Sequence, residues 1–249
     1  MQTTIQLNEL NRSSKVPLYH QLYELLREAI VAGKWPPGTM VPSESELQNH
    51  FQVSQITVRQ ALENLVNEGL IYRQRGRGTF VSQPAIETSL SRILSFTEDM
   101  QQRGYHPGSR VIYSGVGQAS PGLSEKLRIP IDSEIAQLNR LRYADDQPLS
   151  IEESALVHHY CPGVLDVDYQ VNSLRERLQL QYGLQITRAK QSIRALNANQ
   201  EQAKLLSIEP GDALLGLERV SYSQHDLPLE FLRITYRADR YVLFTDLQG

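Results

Sequence analysis

Apolar positions in the first third of the chain recur at helical spacing. Leu18, Leu22, Leu25, Leu26, Ala29 and Ile30 form one stripe, opened by a Pro17 suited to the first helical position and closed by Gly33. A second, shorter helix follows Ser43, which has Glu46 three residues on, the spacing of a capping box, and carries Leu47 and Phe51 on one face. It gives way at Gln52-Val53, where Ser54 caps a third helix. There Val58, Ala61, Leu62, Leu65 and Val66 make a buried stripe and Gly69 supplies the left-handed terminator. The pattern then turns to strands at residues 70–73 and 79–82, joined by the glycine- and arginine-rich tip Gln74-Arg75-Gly76-Arg77-Gly78. Trp35-Pro36-Pro37-Gly38 reads as a turn with Trp35 packed inside.

Beyond a polar stretch at residues 83–91 the pattern changes again. One helix is expected at residues 95–103. After it come alternating, β-branched and aromatic segments at 111–116, 135–143, 149–157, 185–196, 213–222, 229–236 and 241–245, with helices at 124–128, 171–182 and 200–207. The class is α+β. Residues 125–143 also align without gaps on residues 204–222, pairing Leu127 with Leu206, Leu138 with Leu217, Arg140 with Arg219 and Tyr143 with Tyr222. That echo predicts two related halves around a central sheet, with a cleft between them suited to a ligand.

Composition narrows the picture. The 249 residues suit two domains, and no apolar run approaches the ~20 residues a membrane span requires. The start MQTTIQLNELNRSSK lacks the apolar core of a secretory leader, and a single cysteine, Cys161, fits a reducing cytosol. A net charge of −3 excludes a globally basic nucleic-acid coat, so any DNA binding comes from a local patch. Arg59, Arg73, Arg75 and Arg77 supply one, against Glu63 and Glu68. Gln55, Thr57, Arg59 and Gln60 lie at the exposed start of the third helix, where a helix-turn-helix presents donors to base edges. An arginine-bearing wing suits a minor groove.

Other candidate chemistry is sparse. Arg140 and Arg142 alternate on a strand and share a face; two adjacent guanidiniums call for a shared anion, or else each pairs with a surface carboxylate. His158 and His159, read as strand neighbours, point to opposite faces, so no metal site is expected. There is no nucleophile–base motif, no phosphate-cradling glycine loop and no cofactor signature.

PLYHQL, GTMVPSESEL, VSQITVRQAL and GRGTFV resemble, in order and spacing, the winged-helix domain of the GntR superfamily of bacterial transcription regulators. SFTEDMQQRG, LNRLRYADDQPLSIEES and LPLEFLRITYRADRY resemble the UTRA effector-binding domain of its HutC subfamily, whose fold is similar to chorismate lyase. The resemblance implies a winged helix-turn-helix over residues 1–82 (core from about 15), a linker at 83–91 and an effector-binding and dimerisation domain over 92–249. It implies a repressor that binds a palindromic double-stranded DNA operator as a homodimer. Ser43, Ser45, Ser54, Gln55, Thr57, Arg59, Gln60, Arg75, Gly76, Arg77 and Gly78 are the implied DNA contacts; the family often has arginine at the Ser45 position and usually at Gln55. For the effector it implies a sugar phosphate or carboxylate held by Arg140 and Arg142 near Ser173, with Phe96 and Thr97 lining the site. Glu152, Glu230 and Tyr236 would bond the ligand's polar body, the two carboxylates repelling a second anionic group. Arg175 stands where a tyrosine is common. Two alternatives remain open: an enzyme domain of the chorismate-lyase type, and a domain that only dimerises.

Overall fold

The computed structural model describes residues 9–74, 78–82 and 85–247, without the side chain of Gln74. It divides into two units, Met1–Pro84 and Ala85–Gly249. In the first, α1 (Leu18–Val31) packs on α3 (Gln55–Asn67), with α2 (Glu44–Phe51) completing the trihelical core. The caps of α2 and α3 are those the sequence predicts, whereas Pro17 is the N-cap of α1 rather than its first helical residue. Ser43 and Glu46 form the capping box and Ser54 accepts from the Thr57 backbone N–H. Gly69 takes φ +71°, where a Cβ would be strained. Strands β2 (Ile71–Gln74) and β3 (Gly78–Val81) make the wing. A third strand, β1 (Met40–Val41), pairs on the far side of β3. Two residues are too few to show a period in the sequence. Trp35 is buried in this core.

The second unit is built on one antiparallel sheet. Its strands are β5 (Pro107–Gln118), β6 (Glu134–Ala144), β7 (Gln147–Val157), β8 (Ile186–Asn197), β9 (Ala213–Ser223) and β10 (Pro228–Arg237), in the order β5-β6-β7-β10-β9-β8. The order reads as two three-stranded halves meeting at β7 and β10. Helices α5 (Pro121–Leu127) and α7 (Gln200–Leu206) occupy matching places in the two halves. The repeat extends to the backbone: Arg128 and Ser207 both end their helices in the left-handed conformation. Ala119 exchanges backbone bonds with Asp132 and Ser133 as Ala198 does with Gly211 and Asp212. Leu127 and Leu206 are fully buried beneath the same face of the sheet. On the other face lie α4 (Phe96–Gln102) and α6 (Leu174–Tyr182), over clusters containing Met100 and Leu178.

Three expectations are corrected. Residues 86–89, placed in a linker, form β4 (Ile86–Ser89), which pairs in parallel with β11 (Tyr241–Phe244) and seats Ile86 in the core. The polar sequence IETS hides this, because only one of its faces is buried. His158–Tyr160 is a 3-10 turn rather than a strand, closing β7 with Cys161 buried behind it. Helix α6 starts at Leu174, capped by Ser173, three residues later than expected.

Asp99 ties α4 to the β4–β11 pair. Its buried carboxylate accepts from Thr88 Oγ1 (2.9 Å), Tyr241 Oη (3.1 Å) and Arg103 Nε (2.9 Å). Asp99→Ala removes the acceptor of all three donors and leaves the buried Tyr241 hydroxyl without it. It should lower the stability of the C-terminal unit by about 3 kcal/mol. Calorimetry of the full chain checks this, as the melting of that unit should move while the N-terminal unit's stays put.

Candidate functional site

On α3, Gln55, Arg59 and Gln60 are exposed and Thr57 is half-buried. Ser54 and Thr57 bond each other at 2.9 Å, so both hold the helix start as well as facing outward. Ser45 is exposed, while the Ser43 hydroxyl is engaged with Glu46. Gly78 opens β3, and Arg75, Gly76 and Arg77 lie outside the described residues. Two features escaped the sequence reading. Ile56 is 77 % exposed beside Gln55, an apolar side chain fit to meet a thymine methyl. Glu44 stands 4.0 Å from both Arg59 and Arg73, a carboxylate inside the basic patch.

In the C-terminal unit a cavity of about 320 Å³ lies between the sheet, α4, α6 and the β4–β11 pair. That is the small end of ligand-binding pockets. Phe96, Arg140, Arg142 and Glu152 line it, as do Ser173, Arg175, Glu230 and Tyr236. Thr97, one helical step past Phe96, does not. Arg140 and Glu152 are cross-strand partners, and the Glu152 carboxylate bridges both arginines: it bonds Arg140 Nη2 and lies 3.8 Å from Arg142 Nε. All three are at least nine-tenths buried. The two arginines thus pair not with surface carboxylates but with one internal carboxylate. Arg140 Nε, Arg140 Nη1 and Arg142 Nε have no hydrogen-bond partner among the described residues. The Arg142 guanidinium lies 4.4 Å over the Phe96 ring. Arg175 donates to the carbonyls of Ile93 (2.7 Å) and Ile186 (3.4 Å), so it ties down the cavity's wall. A second cavity, about 360 Å³, opens by α5 on the opposite face. Its charges answer one another through Lys126–Glu218, Arg233–Glu218 and Arg233–Glu153 pairs.

Residues 18–81 match the family described as bacterial regulatory proteins, gntR family, and residues 102–242 match the UTRA domain. Similar proteins include the HTH-type transcriptional repressor NagR of Bacillus subtilis, 39% identical over 93% of this chain and 95% of that one. Another is the mannosyl-D-glycerate transport/metabolism system repressor MngR of Escherichia coli, 30% identical over 90% of this chain and 93% of the relative. The crystal structure of PhnF from Mycobacterium smegmatis is similar with a TM-score of 0.66 at 27% identity, covering 92% of this chain and 99% of that one. The chain belongs to the GntR family of bacterial transcription regulators. It is of the HutC type, with a UTRA domain, and the enzyme alternative is set aside because this is a family of regulators.

The electrostatics of the UTRA cavity are uneven. Burial alone would raise the Glu152 pKa, but Arg140 and Arg142 outweigh it and hold the carboxyl below the ordinary range. Burial pushes Glu230 the other way, and the charge of Glu152 adds to the rise. Burial also lowers the Arg142 guanidinium to about 10, still cationic at neutral pH, and raises Tyr236. Arg219 and Ser221 line this cavity too, on β9, with the Ser221 hydroxyl donating to Glu230 at 3.2 Å. Neither was expected as a site residue, although the repeat pairs Arg219 with Arg140.

The two glutamates should affect stability with opposite signs. A carboxyl with a lowered folded pKa stabilises above its unfolded value, about 4.3, and that contribution is lost as pH falls through the folded value. One with a raised folded pKa stabilises below about 4.3, and that contribution is lost as pH rises through the folded value. Glu152→Gln should therefore destabilise the UTRA domain near neutral pH by about 3 kcal/mol, by stripping two buried cations of their counterion. Glu230→Gln should stabilise it near neutral pH and lose that advantage in acid below the ordinary carboxylate range. Thermal melts across pH read both signs.

Proposed function

We propose that this regulator is a cytoplasmic repressor that binds a pseudo-palindromic operator as a homodimer and is released by a small anionic metabolite in the UTRA cavity. The observation carrying the effector half is the buried pair Arg140 and Arg142, only half neutralised by Glu152 and with N–H donors left over. A phosphate or carboxylate offers acceptors in the geometry that guanidinium forks bind. Ser173, at the α6 N-terminus, adds a hydroxyl from the side. Glu230 and Tyr236 meet the polar body of the ligand, and Phe96 covers it.

A phosphorylated sugar derivative is the favoured ligand. Several relatives are named for sugar conjugates: mannosyl-D-glycerate for the one above, and fructoselysine for a probable utilization operon repressor of Escherichia coli. Glu152 acts as an internal competitor. It holds the arginines together in the free protein, and an incoming anion must share or replace it.

For DNA, Gln55, Ile56, Thr57, Arg59 and Gln60 enter the major groove from the start of α3, and Arg75 and Arg77 of the wing the adjacent minor groove. The effector favours one of two arrangements of the dimer's DNA-binding heads through its differential affinity for them.

Arg140→Ala and Arg142→Ala should each lose about 2–5 kcal/mol of effector binding by titration calorimetry, with operator affinity intact in the absence of effector. Arg59→Ala should show the reverse pattern, losing about 1–3 kcal/mol of operator binding in gel shift while effector binding stays unchanged. Effector affinity equal to the parent's in both arginine variants contradicts the placement of the site.

A further inference from the structure

The internal repeat sets Arg219 on β9 where Arg140 stands on β6, and both line the same cavity. Their neighbours differ. Glu152 stands across from Arg140. Arg219 has Leu232 on one side and Gln191 on the other. Gln191 Oε1 accepts from Arg219 Nε (3.0 Å) and Nη2 (2.7 Å), a two-point grip that fixes the guanidinium plane. An amide orients the cation but leaves its charge in place. No salt bridge among the described residues includes Arg219. The positive charge therefore stays available to the cavity, and it acts on Glu152, Glu230 and Tyr236.

Position gives this charge a use. From β6 to β9 the sheet crosses three strand spacings, about 14 Å at ~4.8 Å each. Arg219 therefore lines the cavity on the side away from the Arg140–Arg142 pair. Burial raises the Glu230 pKa beside Ser221, so its carboxyl ionises less readily than an exposed one. The wall opposite the arginine pair carries the Arg219 cation and the Ser221 hydroxyl.

We propose that Arg219 is a specificity-determining residue of the cavity, donating to an oxygen acceptor, best a carboxylate, at the end of the ligand far from Arg140 and Arg142, and disfavouring an ammonium group there. This rests on the reading of the cavity as the effector site. It runs against the expectation from sequence that Glu152 and Glu230 repel a second anionic group, because Arg219 brings a positive charge held by an uncharged amide to that wall. Among phosphorylated sugars, it selects sugar acids over amino sugars.

Titration calorimetry on the full chain near neutral pH, with inorganic phosphate, 6-phosphogluconate and glucosamine 6-phosphate as probes, tests this. The parent should bind phosphogluconate at least about tenfold more tightly than the amino sugar phosphate. Arg219→Gln should remove most of that preference while changing inorganic phosphate binding far less, because phosphate alone uses the Arg140–Arg142 pair. Arg219→Lys, which keeps the charge but loses the two-point grip of Gln191, should retain part of the preference. Equal binding of the two sugar derivatives by the parent, or an unchanged preference in Arg219→Gln, overturns the role of Arg219. So does a loss of all three probes together in both variants, which marks Arg219 as structural. No binding of inorganic phosphate to the parent contradicts the anion site itself.

Discussion

Two guanidiniums buried on one face of one strand constrain the rest of the C-terminal unit. Removing either from water is costly, and side by side they repel. The fold meets that cost with a single carboxylate, Glu152, directly across from Arg140 on the neighbouring strand and in reach of Arg142. The Phe96 ring beneath the Arg142 guanidinium adds a weaker attraction. One carboxylate cannot satisfy two forks, and three of their buried N–H-bearing nitrogens have no hydrogen-bond partner among the described residues. A site designed only for stability would have a second carboxylate or an apolar pair here. Incomplete neutralisation is the physical basis for reading this cavity, and not the one by α5 whose charges are paired, as the place where a metabolite acts.

The sheet makes this arrangement possible. Two copies of a helix-and-hairpin unit meet at β7 and β10, so the cavity face of the sheet's centre is bounded by polar side chains from both halves. The repeat keeps the scaffold alike, down to the left-handed residues at Arg128 and Ser207, while the residues facing the cavity diverge. Arg142 in one copy becomes Ser221 in the other; Glu152 faces Arg140, whereas Leu232 faces Arg219. A near-symmetric frame thus holds an asymmetric site. The β4–β11 pair forms one of its walls, tied to α4 through Asp99, and lies immediately after the segment leading from the winged helix.

Much of this was legible before any coordinates. Caps and stripes are local, so Ser43 with Glu46, Ser54, and the apolar faces of α1 and α3 could be read from spacing alone. The hairpins announced themselves by alternation, and the echo of residues 125–143 in 204–222 gave the two halves. What stayed hidden depended on register or on contacts distant in sequence. That Arg140 and Arg142 share a face follows from alternation; that Glu152 sits between them requires the pairing of β6 with β7. The strand at Ile86–Ser89 is visible only beside Tyr241–Phe244, far along the chain. Thr97 was placed in the site by the resemblance, and one helical step past Phe96 takes it off the cavity lining. Arg219 was in view through the repeat, yet its use emerges only from the uncharged partner that holds it.

The central claim is that Glu152 holds the arginine pair as an internal anion with which a ligand's own anion competes. The affinity of inorganic phosphate for Glu152→Gln, measured by titration calorimetry beside the parent, tests it most directly. Removing the competitor should tighten phosphate binding about tenfold, even as the free protein becomes less stable. Phosphate bound no more tightly by the variant than by the parent would contradict the account, and would leave Glu152 as a group that only supports the ligand's polar body.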